Sequence, residues 1–157
     1  MPTVIPHLWF AEKAEEAVQF YTALLPDSHV DRVTKLPAES PSGPAGSVEI
    51  VSFTLMGRPF MAIGAEPLDP FNHAVSFMVP CETQAEIDRL WEAFSDGGQI
   101  ERCGWVRDRY GVCWQIVPAR LGEMMADPDP ARAARVAQAM LTMAKFDIAA
   151  LERAADA

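Results

Sequence analysis

The side chains of this chain that could bind or transform a small molecule include three histidines, three cysteines and four tryptophans. His7 stands two residues before Trp9, and His73 four before Phe77. In an extended segment these spacings put each imidazole and its ring on one face. A neutral imidazole ligates zinc, nickel or iron, and is a hydrogen-bonding group when no metal is bound. Trp105 follows Gly104, where the missing Cβ lets another backbone approach closely. Gln115 lies on a run in which Cys113, Gln115 and Val117 share one face and Val112, Trp114 and Ile116 the other, so Trp114 is expected in the core. Together His7, Trp9, His73, Phe77, Trp105 and Gln115 would line an aromatic cleft with few polar groups, suited to a small planar or apolar molecule. The same rings equally suit a filled core with no room for a ligand. His29, after Pro26-Asp27-Ser28, reads as a surface group.

None of these pocket residues is Lys or Arg, and 22 acidic against 13 basic side chains leave a net charge of -9. An anion buried among them would lack a counter-charge, so the expected ligands are neutral or weakly polar aromatics. The acidic balance also disfavours nucleic acid and anionic membrane as partners. No apolar run approaches the roughly 20 residues of a spanning helix, and the N-terminus lacks the basic and apolar regions of a secretion signal, so the expected location is the cytoplasm. Cys81, Cys103 and Cys113 show no C-x-x-C spacing and read as reduced thiols, neither a disulfide framework nor a structural zinc site. Cys81 precedes a helix expected from Thr83, whose positive end would favour a thiolate; the favoured alternative is a buried packing cysteine.

The elements that must position these groups follow from periodicity. Thr3 to Phe10 reads as a strand, and Ala14, Ala17, Val18, Tyr21 and Leu24 mark an amphipathic helix ending before Pro26. Val30 to Leu36 fits an edge strand. Pro37 to Ser47, with three prolines, two glycines and three serines, is expected to be a mobile loop with little regular hydrogen bonding. Ser47 to Met56 and Pro59 to Gly64 form a hairpin joined by Gly57-Arg58. A turn over Ala65 to Asn72, punctuated by Pro67 and Pro70, leads to a strand from His73 to Pro80. A helix from Thr83 to Phe94 and strands from Gln99 to Val106 and Gly111 to Pro118 follow.

Strand and helix thus recur roughly seventy residues apart. Asp127-Pro128-Asp129-Pro130 supplies an N-cap and a proline for a further helix, with Val136, Met140 and Met143 as its apolar stripe, and Ile148 to Leu151 marks a last one. The expected class is α+β. Two βαβββ modules, about 1–66 and 71–118, form a cupped mixed sheet within a single domain 1–157, followed by a helical tail, 119–157.

The segments Val79-Pro80-Cys81-Glu82-Thr83-Gln84-Ala85-Glu86-Ile87-Asp88-Arg89-Leu90-Trp91 and Cys103-Gly104-Trp105-Val106-Arg107-Asp108-Arg109-Tyr110-Gly111-Val112-Cys113-Trp114-Gln115-Ile116-Val117-Pro118 resemble the PhnB-like family. Its members carry the label 3-demethylubiquinone-9 3-methyltransferase and belong to the vicinal oxygen chelate, or glyoxalase/bleomycin-resistance, superfamily. The resemblance extends into the tail through Asp147-Ile148-Ala149-Ala150-Leu151-Glu152-Arg153. It implies two βαβββ modules forming a cup and a homodimer. It also implies a divalent ion held by one ligand from each of four strands. His7 and His73 fall at or near two of those positions, Glu49 is the nearest acid for the third, and Gln115 stands where the resemblance leads one to expect Glu.

Two histidines and a glutamine are fewer than three strong donors, so no metal is the expected state. The reading favoured here is a binding protein for a small aromatic or apolar molecule; the alternative is a metal-dependent isomerase, lyase or dioxygenase-like enzyme using His7 and His73. Methyl transfer from S-adenosylmethionine would need a glycine-rich strand-to-helix turn and parallel βαβ units, and neither is present.

Overall fold

The computed structural model describes residues 1–66 and 69–157, which fall into two compact units, Met1–Asp69 and Pro70–Ala157. Both read α+β, and each opens with a βαβββ order. Part of the expected turn over Ala65 to Asn72, with Pro67, lies outside the described residues.

The first unit contains β1 (His7–Phe10), α1 (Ala14–Leu24), β2 (His29–Lys35), β3 (Glu49–Leu55) and β4 (Arg58–Gly64). Its sheet runs β1-β4-β3-β2, with β1 parallel to β4 and the other pairs antiparallel. Alternation along β3 buries Val51, Phe53 and Leu55, and α1 buries Ala14, Ala17, Val18 and Tyr21 against that sheet. Strand β1 is shorter than the expected run from Thr3. Its ladder begins at His7, because Pro6 has no N–H to continue it. The hairpin turn is Met56-Gly57, not Gly57-Arg58: both residues have positive φ, 48° and 73°, and Arg58 already pairs with Leu55. The proline-rich segment forms neither helix nor strand, and backbone hydrogen bonds close its turns. Ser40 and Gly43 exchange backbone hydrogen bonds, and Gly46 N–H donates to Leu36 at 2.8 Å.

The second unit contains β5 (Phe77–Cys81), α2 (Gln84–Ser95), β6 (Gln99–Ile100), β7 (Trp105–Arg107) and β8 (Cys113–Pro118), in sheet order β5-β8-β7-β6. The capping box of Thr83 and Glu86 starts α2, which turns Ile87, Leu90, Trp91 and Phe94 inward. Phe94 stacks on Trp114 with ring centroids 4.6 Å apart. Two expected strands change. His73 sits in a turn, where Asn72 Oδ1 accepts from Ala74 N–H, and β5 starts only at Phe77. The expected strand Gln99 to Val106 divides into β6 and β7, because Cys103 and Gly104, with φ of 56° and 80°, reverse the chain and let the two halves pair.

The tail packs on this same unit as α3 (Leu121–Met125), α4 (Pro130–Thr142) and α5 (Ile148–Asp156). Asp129 caps α4 ahead of Pro130, as the sequence predicts, and Val136 of the expected stripe is fully buried while Met140 and Met143 are half-buried. Gln84 of α2 holds the tail by both ends of its amide, donating to Phe146 O and accepting from Ile148 N–H, each at 2.9 Å. The buried Phe146 ring fills the space a Cβ on Gly104 would need.

Candidate functional site

A row of side chains crosses one face of the second sheet. Met78 of β5 is the register partner of Gln115 of β8, which is the partner of Trp105 of β7. Arg107, two residues beyond Trp105, shares that face. Phe77 does not. It pairs with Trp114 and packs against that ring with centroids 5.5 Å apart, on the opposite face, which α2 covers. The expected sharing of a face by His73 and Phe77 fails because no strand connects them, and the largely exposed Met78 stands in the row instead.

His73 still reaches the row from its turn. Its ring centroid lies 5.9 Å from that of Trp105. Nε2 is 2.7 Å from Oε2 and 2.8 Å from Oε1 of Glu101, and Nδ1 is 3.3 Å from an Nη of Arg107. A guanidinium can only donate, so Nδ1 accepts and the ring proton sits on Nε2, donated to Glu101. Gln115 donates its amide to Ser76 Oγ at 2.9 Å. The Nε–H of Arg107 is enclosed and has no acceptor, a condition that costs roughly 1–3 kcal/mol. Sequence reasoning missed Arg107, Glu101 and Ser76. Arg107 and Glu101 were findable from their spacings of two and four residues to Trp105, whereas Ser76 is out of phase with the face expected for His73 and Phe77. With Arg107 present, the premise that no cation shares this face is lost.

In the first unit, His7 and Trp9 share the more exposed face of β1, with Leu8 and Phe10 buried behind them. The Trp9 indole donates to Ala65 O at 2.7 Å, which fixes the ring. Glu49 is committed elsewhere, because its carboxylate accepts from Glu15 N–H at 3.0 Å in the first turn of α1. His29 is exposed beside Asp31, as expected of a surface group.

A divalent ion does not fit these donors as they stand. Both ring nitrogens of His73 are engaged, the Gln115 amide is hydrogen-bonded, and Glu49 serves a helix terminus. Among the described residues, no three His, Cys, Asp or Glu side chains converge as a metal-holding group.

Cys81 is a packing residue. Burial, with the negative charge of Glu86 adding to it and Arg89 opposing, pushes its thiol up to about 11, so the helix that follows supplies no reactive thiolate. A concavity lined by α3, α4 and α5 carries Arg120, Glu123, Asp127, Arg132, Glu152 and Asp156, whose charges are largely paired with one another.

Residues 2–117 match the family model described as 3-demethylubiquinone-9 3-methyltransferase. Among solved structures, the chain is 34% identical to a PhnB protein from Bacillus cereus, described as a 3-demethylubiquinone-9 3-methyltransferase, over 75% of this chain and 100% of that one, with a TM-score of 0.67. A Pseudomonas aeruginosa protein matches at 20% identity over 75% and 98% of the two chains, with a TM-score of 0.59. The fosfomycin resistance protein FosX of Mesorhizobium loti shares the fold at 13% identity, over 80% and 98%, with a TM-score of 0.54. No curated protein matches the sequence. Matched over three quarters of its length and built from two βαβββ modules, the chain belongs to the PhnB-like, 3-demethylubiquinone-9 3-methyltransferase family.

Proposed function

We propose that the chain binds a small organic molecule with an aromatic or apolar body on the face of the second sheet that carries Met78, Trp105 and Gln115. The observation that carries this reading is the register of Trp105 against Gln115, with the His73 ring 5.9 Å from the indole. It sets an aromatic surface between an amide and an imidazole, the mixture of apolar wall and few polar groups that small-molecule sites use. His7 and Trp9, exposed on β1, are proposed separately as a contact pair of the first unit's own face. The methyltransferase label is a family name: the two sheets here contain only single parallel pairs, with no run of parallel βαβ units to hold S-adenosylmethionine.

Thermal-shift screening of quinones and phenols, followed by titration, tests the reading. A ligand that raises the melting temperature of the wild type should lose at least tenfold in affinity in Trp105→Ala and less in Gln115→Ala. Binding unaffected by both substitutions would place the site elsewhere.

A homodimer in the cytoplasm completes the proposal. Exposed Val75, Met78, Ile100 and Leu141, and sheets that end in edge strands, support self-association; three unpaired thiols support a reducing compartment. Sedimentation at micromolar concentration decides the first point, and a monomer would remove it.

A further inference from the structure

We infer that Arg107 anchors an oxyanion of the ligand, so that the molecule bound beside Trp105 is an aromatic or apolar body carrying a carboxylate or comparable anionic oxygen. The inference rests on the proposed binding face and deepens it. Three observations carry it. Arg107 has no carboxylate within ion-pair distance among the described residues, although it is half-buried in a protein whose net charge is -9. Its one hydrogen-bond acceptor is a neutral nitrogen, His73 Nδ1, and that contact of 3.3 Å is the longest in the cluster, against 2.7 and 2.8 Å for His73 with Glu101. Its Nε–H is closed off and donates to nothing, so the guanidinium is held by that one weak contact and the donors that a ligand can meet are those of its Nη atoms.

A guanidinium is built to give two parallel donors to a carboxylate, and a charged acceptor holds it about twice as strongly as a neutral one. A ligand oxyanion would therefore take the Nη donor from Nδ1. His73 would keep its place through Glu101, which grips Nε2 and needs nothing from Arg107. Trp105, two residues away on the same face, sets the distance between the anchor and the aromatic body. Glu101 lies behind the imidazole and bars a second anion, so the arrangement selects one charge on a flat molecule over a polyanion.

Titrations of 2-naphthoate and of its neutral analogue 2-naphthamide, followed by calorimetry or ligand-observed NMR, test the anchor. Wild type should bind the acid at least tenfold more tightly than the amide. Arg107→Gln should erase that ratio, while Arg153→Gln, which removes the same charge from α5, should leave it. Should Arg107→Gln fail to fold, His73→Ala is read instead: it removes the competing acceptor and should raise the ratio severalfold. Equal affinity for acid and amide with both lost in Trp105→Ala would overturn the anchor and leave the binding face standing. A ratio that survives Arg107→Gln, or falls in His73→Ala, also overturns it. Binding of neither probe would count against the anchor and the face together.

Discussion

Trp105 of β7 and Gln115 of β8 are direct partners in the antiparallel register, and Gly104, next to Trp105, is where the chain turns from β6 into β7. Gly104 has φ of +80°, and a Cβ there would lie 2.5 Å from the Phe146 ring and 2.6 Å from Ile116 O. Gly104→Ala should therefore destabilise the protein by about 1–3 kcal/mol from backbone conformation alone, with the clash adding to that. Urea unfolding measures it. A loss below about 0.5 kcal/mol would mean that the turn relaxes without cost.

The imidazole of His73 should be in its Nε2–H form when neutral, because Glu101 accepts on one side and Arg107 donates on the other. Long-range 15N–1H spectra distinguish the two tautomers directly. Glu101→Gln should reduce the preference, since a neutral amide no longer rewards a proton on Nε2. An Nδ1–H signal in the wild type would contradict the geometry.

Cys81 gives an alkaline signature. Its thiol ionises at about 11 in the folded protein, against an ordinary value of 9.0. The unfolded chain therefore loses this proton first as pH rises, and the native state is left relatively disfavoured. The contribution is intact below pH 9 and falls away towards pH 11, by on the order of 2 kcal/mol. Cys81→Ala should flatten the stability curve across that window. At pH 8 iodoacetamide should label the half-buried Cys103 ahead of Cys81, as peptide mass spectrometry would show. Equal labelling would remove the claim that burial protects Cys81.

Asp108 is the buried acid of the second module. One carboxylate oxygen accepts from the N–H groups of Tyr110 and Val112, and the other accepts from the Trp114 indole at 2.9 Å. Removing it strands three donors around the central ring of the core. Asp108→Ala should cost about 3–5 kcal/mol, and Asp108→Asn less, because an amide oxygen can still accept. Chemical denaturation tests the order of the two variants, and a reversed order would refute this account.

The tail should be an integral part of the second unit. Phe146→Ala is expected to cost about 3–5 kcal/mol, as large cavity mutations do, and Gln84→Ala should expose residues 140–148 to amide exchange ahead of the sheet. Protection unchanged in Gln84→Ala would show that the amide clamp is dispensable.

The order of elements is legible in the chain, because hydrophobic spacing and end signals are local. The 3.6-residue period of Ala14 to Leu24, the capping box at Thr83 and Glu86, and Asp129-Pro130 each specify a helix from a few neighbouring residues. The alternation of Gln115 with Trp114 likewise placed the first towards one face and the second in the core. The duplication marks the two modules, and the segments Val79 to Trp91 and Cys103 to Pro118 mark the family.

Which residues meet depends on how the chain folds back on itself. His73 carries no strand period because it stands in an Asx turn, yet it arrives between Glu101 and Arg107, 28 and 34 residues further along the chain. Phe77 and Met78 are adjacent, and only the pairing of β5 with β8 says which of them joins Gln115 and which joins Trp114. Register has a period of two, so a shift of one residue exchanges the faces and no composition reveals it. The charge of the site followed the same rule: Arg107 entered it through a two-residue spacing on β7, and its unfilled donor is a property of three-dimensional packing alone.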